Sequence, residues 1–250
     1  MIRPLLSKIK PVTGFAYFLH LGLLLLLPLI VFVLVRLNFV VLAVSIIVLS
    51  KWRMFAVRPR FWPANIRANA VDIMVGLSIV VFMVHSQSAF MQFVWALLYG
   101  SWLIFLKPAT GTLMVSLQAL VSQTTTLMAL FLAWADGPLY GLVLSAGLIC
   151  YLAAHHFFDS FDEPYVKMLS YLWGYFAAAL TWLLGHWLLF YRGVPQPLVL
   201  LTAIGYGLAT LYYLDHFERL NTTLKKQFVF VMIAVILIVI IFSDWGDKVV

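Results

Sequence analysis

Long runs of apolar residues, broken by short polar segments, cover almost the whole chain. A transmembrane helix needs about 20 predominantly apolar residues, and most of these runs have that length. The polar segments between them contain Gly, Pro, Ser and charged residues, which are typical of loops. The pattern predicts spans at about 70–85, 89–106, 112–134, 139–157, 168–190, 197–214 and 227–243.

The apolar stretch 15–50 comes before these seven spans, and only Arg36 and Asn38 interrupt it. As one helix it would be about 54 Å long at about 1.5 Å per residue, whereas the hydrocarbon core is about 30 Å thick. We therefore predict two spans in a tight hairpin that turns at Arg36 and Asn38. Pro28 predicts a kink in the first of them. The total is nine spans.

Composition supports a membrane location for the entire chain. Apolar residues make up 64% of it and charged residues only 10%, which leaves too little polar surface for a water-soluble globule. The longest segment outside the spans is the basic segment 51–69. We predict an all-α polytopic fold, with residues 1–250 forming a single transmembrane domain and no soluble domain.

Positive charge predicts the orientation, because cytoplasmic loops of membrane proteins are enriched in Lys and Arg. The segment 51–69 contains five bases and no acid: Lys51, Arg53, Arg58, Arg60 and Arg67. With nine spans and a cytoplasmic amino terminus, only Arg36, Arg192 and Lys248 of the 16 Lys and Arg residues lie outside. The carboxyl terminus is then external. Eight spans would place the basic segment outside and are rejected.

The same basic segment predicts a contact with anionic lipids of the cytoplasmic leaflet. Its five bases alternate with Trp52, Phe55, Phe61 and Trp62. Aromatic side chains favour the headgroup layer, and each base near an anionic surface contributes about 1 kcal/mol. Without an accompanying soluble fold, nucleic acid is not expected as a partner. The compact loops favour the cytoplasmic (inner) membrane of a bacterium.

Ionisable residues concentrate in Tyr151–Lys167, at the end of the predicted span 139–157. If the helix continues to Pro164, then His155, Asp159 and Glu163 recur at every fourth position and share one face. A second group follows the predicted span 197–214 on the same side of the membrane. The candidate metal-binding or acid/base residues are His155, His156, Asp159, Asp162, Glu163, Asp215, His216 and Glu218.

Two interpretations of these groups stay open. Mixed nitrogen and oxygen ligands would suit Zn, Mn or Fe, but the cofactor is unknown and the spacing matches no HExxH helix. Alternatively, the acids are solvated helix ends that balance the cytoplasmic bases. The two groups also share a His-Phe, acid and Lys order, which either reflects a duplication of 151–167 and 211–226 or arises by chance.

The predicted span 112–134 is the only one with a polar interior. At 100° per residue, Gln118, Ser122 and Thr125 lie on one face, while Ser116 and Gln123 lie on another. Such a face must contact protein or water. It predicts either hydrogen bonds between helices or a polar path for a substrate or ion.

The sequence contains no phosphate-binding GxxxxGK[ST] loop, and Cys150 lies in an apolar run where a buried, inert thiol is expected. We carry two functional hypotheses. The first is a non-catalytic protein, either a subunit of a membrane assembly with a membrane-protein partner or a passive carrier. The second is a membrane-embedded enzyme that acts on lipid or polyprenyl substrates at the cytoplasmic interface.

Overall fold

A computed structural model describes residues 15–134, 137–186, 190–191 and 194–243. The fold is all-helical, as predicted. One small antiparallel ladder pairs β1 (Phe190–Tyr191) with β2 (Val194–Pro195). The helices are α1 (Phe15–Arg36), α2 (Val40–Leu49), α3 (Trp62–His85), α4 (Ala89–Ser101), α5 (Thr112–Trp134), α6 (Leu139–Asp159), α7 (Val166–Gly185), α8 (Gln196–His216) and α9 (Thr222–Ile241).

Seven of the described helices, α3 to α9, are long and apolar enough to cross a membrane, α4 together with the π-helical turn Trp102–Leu106. The chain is therefore a multi-pass membrane protein. In the first hairpin the described apolar stretches are shorter, Leu24–Arg36 and Val40–Leu49. The ten residues of α2 rise only about 15 Å. The terminal segments 1–14 and 244–250, on which the predicted sidedness depends, lie outside the described residues.

Several helices begin and end close to the predicted boundaries. Helix α7, however, ends at Gly185 rather than at 190, and α9 begins at Thr222 rather than at 227. The largest difference is in α3, which begins at Trp62, before the predicted residue 70. Pro63 is the second residue of this helix, where its missing N–H removes no hydrogen bond. The Asn65 side chain donates to the carbonyl of Met54 at 3.3 Å. The polar first turns of α3 are therefore helical, although their composition resembles a loop.

The chain forms two compact units. The first contains residues up to Trp52 together with Ile79–Ala109, so it includes α1, α2, α4 and the end of α3. Phe32 of α1 and Phe93 of α4 meet edge to face at 6.0 Å. The Ser88 hydroxyl caps α4 by accepting from the Met91 amide at 3.1 Å. Packed aromatic rings and a capped helix start hold this unit together.

The second unit contains Arg53–Ser78 and the chain from Thr110 onwards. Its closest helix pair is α6 with α7, because glycines allow the backbones to approach. A Cβ atom built on Gly174 would lie 2.9 Å from the Gly147 carbonyl oxygen and 2.9 Å from Cβ of Tyr151. Small residues at such contacts are typical of packing between helices in lipid.

Helix α5 is hydrogen-bonded to four other helices of this unit. Oε1 of Gln118 accepts from Nε2 of His156 of α6 at 3.1 Å, and Ser78 of α3 donates to Thr126 at 3.1 Å. The Gln123 side chain bonds to Trp173 of α7 and to the backbone of α8. The polar interior of α5 therefore lies at the centre of the unit.

Candidate functional site

A cavity of about 490 Å³ lies between α5, α6, α7 and α8, entirely within the second unit. Its wall on α8 extends from Ile204 to Tyr212, a rise of about 12 Å. On α6 the wall is formed by the last turns, and on α7 by the first turns. The cavity therefore occupies the half of the bundle that lies next to the turn between α6 and α7.

The walls of this cavity are almost entirely apolar, and small residues create the space. Alanines and a glycine face the cavity from α5, α6 and α8, while aromatic rings close it from α6 and α7: Ala119, Ala153, Gly205, Ala209, Phe157 and Phe176. Such a site can accommodate hydrocarbon, since it offers dispersion contacts and few hydrogen-bonding groups.

The cavity opens sideways between α7 and α8. Three of its lining side chains are exposed on the outer surface of the helices: Leu172 at 57%, Phe176 at 40% and Leu208 at 46%. Because α7 and α8 are apolar helices long enough to span a membrane, this opening faces the bilayer.

One polar pair lies at the inner end of the cavity. The Trp173 indole N–H donates to Oε1 of Gln123 at 2.9 Å, and the Gln123 amide donates to the carbonyl of Leu201 at 3.4 Å. A Cβ on Gly205 would come within 3.0 Å of the Gln123 amide nitrogen. These contacts fix the two side chains, so the inner end is polar but already hydrogen-bonded.

A carboxylate lies next to the opposite end of the cavity, bonded to a residue of its wall. Tyr212 lines the cavity, and its hydroxyl donates to Oε2 of Glu163 in a short hydrogen bond. Glu163 is half-buried, and no described lysine or arginine lies within ion-pair distance of it. A carboxylate that no described lysine or arginine neutralises therefore lies beside an apolar cavity.

The turn after α6 brings Glu163 to this place and corrects the predicted helical face. Helix α6 ends at Asp159, before the predicted stop at Pro164. Asp162 takes a left-handed conformation with φ 52°, which Asp tolerates better than most residues. Pro164 then favours an extended Glu163. Glu163 therefore does not continue the face of His155 and Asp159 but points to α8.

The two segments that carry the ionisable residues meet through aromatic rings. The buried Phe161 ring meets the Tyr212 ring at 5.3 Å and the His216 ring at 4.9 Å, both edge to face. The acids around this contact point outwards, since Asp159, Asp162, Asp215 and Glu218 are exposed.

Among the described residues, no three His, Cys, Asp or Glu side chains are grouped so that they could hold a metal ion. His155 is half-buried, with its ring 6.0 Å from that of Tyr151. His156 bonds to Gln118. The predicted metal site gains no support from this arrangement. An acid/base role for these residues stays a prediction.

The polar residues predicted to form a path or a packing face make hydrogen bonds within the bundle. Gln118 and Ser122 are buried. The Ser122 hydroxyl donates to the carbonyl of Ala119 at 3.0 Å, and that of Thr125 to Val121 at 2.8 Å. Both of these bonds stay within α5, whereas Gln118 bonds to His156 of α6, so the packing role stays a prediction. A polar path stays a prediction.

The bases predicted to contact anionic lipids lie in a folded segment before and within α3. Arg53, Arg58 and Arg60 are exposed, whereas Lys51 and Arg67 are half-buried. Arg60 stacks over the Phe61 ring at 4.6 Å, while Arg67 donates to the Tyr151 hydroxyl at 3.5 Å. Three of the five bases are thus available to lipid headgroups.

Sequence reasoning did not identify the cavity or the roles of Trp173 and Tyr212. Both resemble the aromatic residues that are common near a membrane interface. The one signal in the sequence is the presence of small residues on α5, α6 and α8, but their pattern does not show that they face each other. Comparison with protein-family models, curated proteins and solved structures found no match.

Proposed function

We propose that the protein is a non-catalytic membrane protein that holds the hydrocarbon chain of a lipid in the cavity between α5 and α8, as a passive carrier would. The observation that carries the proposal is the lateral opening at Leu172, Phe176 and Leu208. An apolar cavity that opens into the bilayer will fill with lipid chains, because an empty cavity forfeits dispersion contacts along its whole wall.

The experiment is native mass spectrometry of the protein extracted in a mild detergent, with and without a cavity-filling substitution. Ala209→Phe places a ring in the cavity, and Ala179→Phe makes the same change at an exposed position of α7 outside it. We expect retained lipid in the wild type and in Ala179→Phe, and loss of that lipid in Ala209→Phe. Equal retention in all three proteins would refute the proposal.

The proposed topology has nine crossings, with the amino terminus in the cytoplasm and the carboxyl terminus outside, in a bacterial inner membrane. The short α2 allows a hairpin that enters the bilayer only part of the way, but such a hairpin also returns to its starting side. The basic segment 51–69 stays cytoplasmic in both cases. The cavity then belongs to the cytoplasmic leaflet.

Cysteine labelling distinguishes a full hairpin from a partial one. The only native cysteine, Cys150, is buried and supplies little background. Leu37→Cys at the exposed turn between α1 and α2 should react with an impermeant maleimide from outside if the hairpin crosses fully. A Ser160→Cys variant should react only from the cytoplasmic side. Labelling of Leu37→Cys only from inside would contradict nine crossings.

A second proposed role for a non-catalytic protein is that of a subunit. Helix α9 is apolar and contacts mainly α8, and most of its surface is exposed, so it offers area to a membrane-protein partner as well as to lipid. Extraction in a mild detergent should then retain another protein in a fixed ratio. A monomer with bound lipid alone would contradict the assembly role.

The alternative proposal is an enzyme that acts on lipid or polyprenyl substrates. It is favoured by the position of Glu163 and Tyr212 at the cavity mouth, where a lipid headgroup would lie. His156 would be the acid/base group closest to α5. Turnover of a lipid that His156→Ala abolishes, while the same variant keeps its bound lipid, would establish an enzyme. If neither the wild type nor His156→Ala changes the lipid composition, the enzyme proposal is contradicted.

A further inference from the structure

We infer that the cavity selects lipids whose headgroup carries a positively charged amine, with Glu163 as the residue that determines this specificity. The inference rests on the proposed lipid-binding function and names the class of lipid. It follows from the chemistry of the cavity mouth rather than from the cavity walls, which are apolar and would accept any hydrocarbon chain.

One carboxylate, that of Glu163, lies beside the cavity with a hydrogen bond to only one of its two oxygens among the described residues. The Tyr212 hydroxyl occupies only Oε2 of Glu163, so the second oxygen can accept a hydrogen bond from a ligand. The turn that carries Glu163 is held by the buried Phe161, packed on α8. The carboxylate is therefore fixed relative to the cavity and does not have to be ordered when a ligand binds.

Within the part of the chain that the structure describes, no base forms an ion pair with this carboxylate. Lys167 in the first turn of α7 and Arg219 after α8 are the bases nearest in sequence to the two segments, and neither forms an ion pair with Glu163 among the described residues. Asp215 adds negative charge near Tyr212. A headgroup amine would complete a charge-assisted hydrogen bond here, whereas a headgroup with only a phosphate would be repelled.

The depth of the site fits a membrane lipid better than a soluble amphiphile. The tail would enter through the lateral opening at Leu172 and Leu208, which faces the bilayer. The headgroup would then lie beside Glu163, after the last turn of α6, where the chain leaves the apolar helix. This arrangement matches a lipid that stays in its leaflet and moves only sideways into the cavity.

The test measures retention of two lipids with identical dioleoyl chains, phosphatidylethanolamine and phosphatidylglycerol, added in equal amounts to the delipidated protein. We expect the wild type to retain the amine lipid about tenfold more than the glycerol lipid, the effect of one charge-assisted hydrogen bond. Glu163→Gln keeps an oxygen that accepts from Tyr212 but removes the charge, so the preference should disappear. Asp162→Asn is the matched control and should keep it.

Basic residues elsewhere on the protein are expected to bind anionic lipid at the surface. Lipid in the cavity is therefore measured as the amount retained by the wild type minus the amount retained by Ala209→Phe. If the lipid in the cavity shows no amine preference, or if Glu163→Gln keeps the preference, the headgroup inference fails while the lipid-binding function stands. If Ala209→Phe removes neither lipid, the proposed function itself fails.

A second pair of probes, dodecylamine and dodecanol, tests whether the amine ligand is a membrane lipid or a soluble amphiphile. A preference for dodecylamine over dodecanol, without a preference for the amine lipid, would overturn the assignment to a membrane lipid.

Discussion

Helices α5 and α9 belong to the same unit and have similar lengths, but they have opposite surroundings. In α5, 44% of the positions in the apolar window are buried, against 6% in α9. Yet α9 is the more apolar of the two, and α5 carries the buried glutamines and serines. In lipid, apolarity therefore marks the surface, whereas a polar residue within a span marks contact with other protein.

The largest expected difference between the two helices comes from deleting the same side chain in each. Phe131 of α5 is buried in the main core cluster, and Phe230 of α9 is 72% exposed. Phe131→Ala should lower the free energy of unfolding by about 3 kcal/mol, because a cavity replaces packed contacts. Phe230→Ala should change it by less than about 0.5 kcal/mol.

The free energies are measured by reversible unfolding in mixed micelles as the fraction of sodium dodecyl sulfate rises. Equal losses for the two phenylalanine variants would contradict the comparison, since they would mean that α9 is packed against protein as closely as α5.

The next largest effect concerns glycines in tight and open positions. Gly174→Ala should lower the free energy of unfolding by about 2 kcal/mol, because the new Cβ meets the backbone of α6 and the two helices would have to move apart. Among the described residues, no atom lies within 4 Å of a Cβ built on Gly22 of α1. Gly22→Ala should therefore stabilise by about 0.5 kcal/mol through the lower entropy of the unfolded chain.

In the same unfolding assay, the two glycine variants should change the free energy of unfolding in opposite directions. Stabilisation by Gly174→Ala would show that α6 and α7 do not approach each other as closely as the structure has them.

The smallest expected effect is that of a buried hydrogen bond. Gln123→Leu removes the acceptor of the Trp173 indole N–H. It should lower the free energy of unfolding by about 1 kcal/mol, as is typical of a hydrogen bond between helices in a membrane. Gln227→Leu, in the exposed first turns of α9, should cost nothing measurable. A loss for Gln227→Leu as large as that for Gln123→Leu would remove the distinction between a central and a peripheral helix.

Sequence patterns predicted the helices well where lipid determines the boundaries. The predicted span 112–134 coincides with α5 because its ends are marked by polar loops. The prediction was wrong where a helix begins in a polar segment, as at Trp62 of α3, because polar residues are compatible with both helix and loop.

The candidate site was predictable only in part. Loop order placed the two ionisable groups at the same end of the bundle, because one follows the end of α6 and the other the end of α8. The position of Glu163 did not follow, because it depends on the left-handed Asp162 and on the early end of α6. The cavity depends on small residues from separate helices, and helical periodicity gives no information on which of them face each other.

The most direct test of the lipid-binding account is fluorescence quenching of Trp173 by dibrominated acyl chains in reconstituted vesicles. The Trp173 contribution is the difference between the wild type and Trp173→Phe, and Trp182 on the exposed side of α7 is the reference. We predict that Ala209→Phe protects Trp173 from quenching and leaves Trp182 quenched. Unchanged quenching of Trp173 in Ala209→Phe, or no quenching of Trp173 in either protein, would contradict a lipid chain in the cavity.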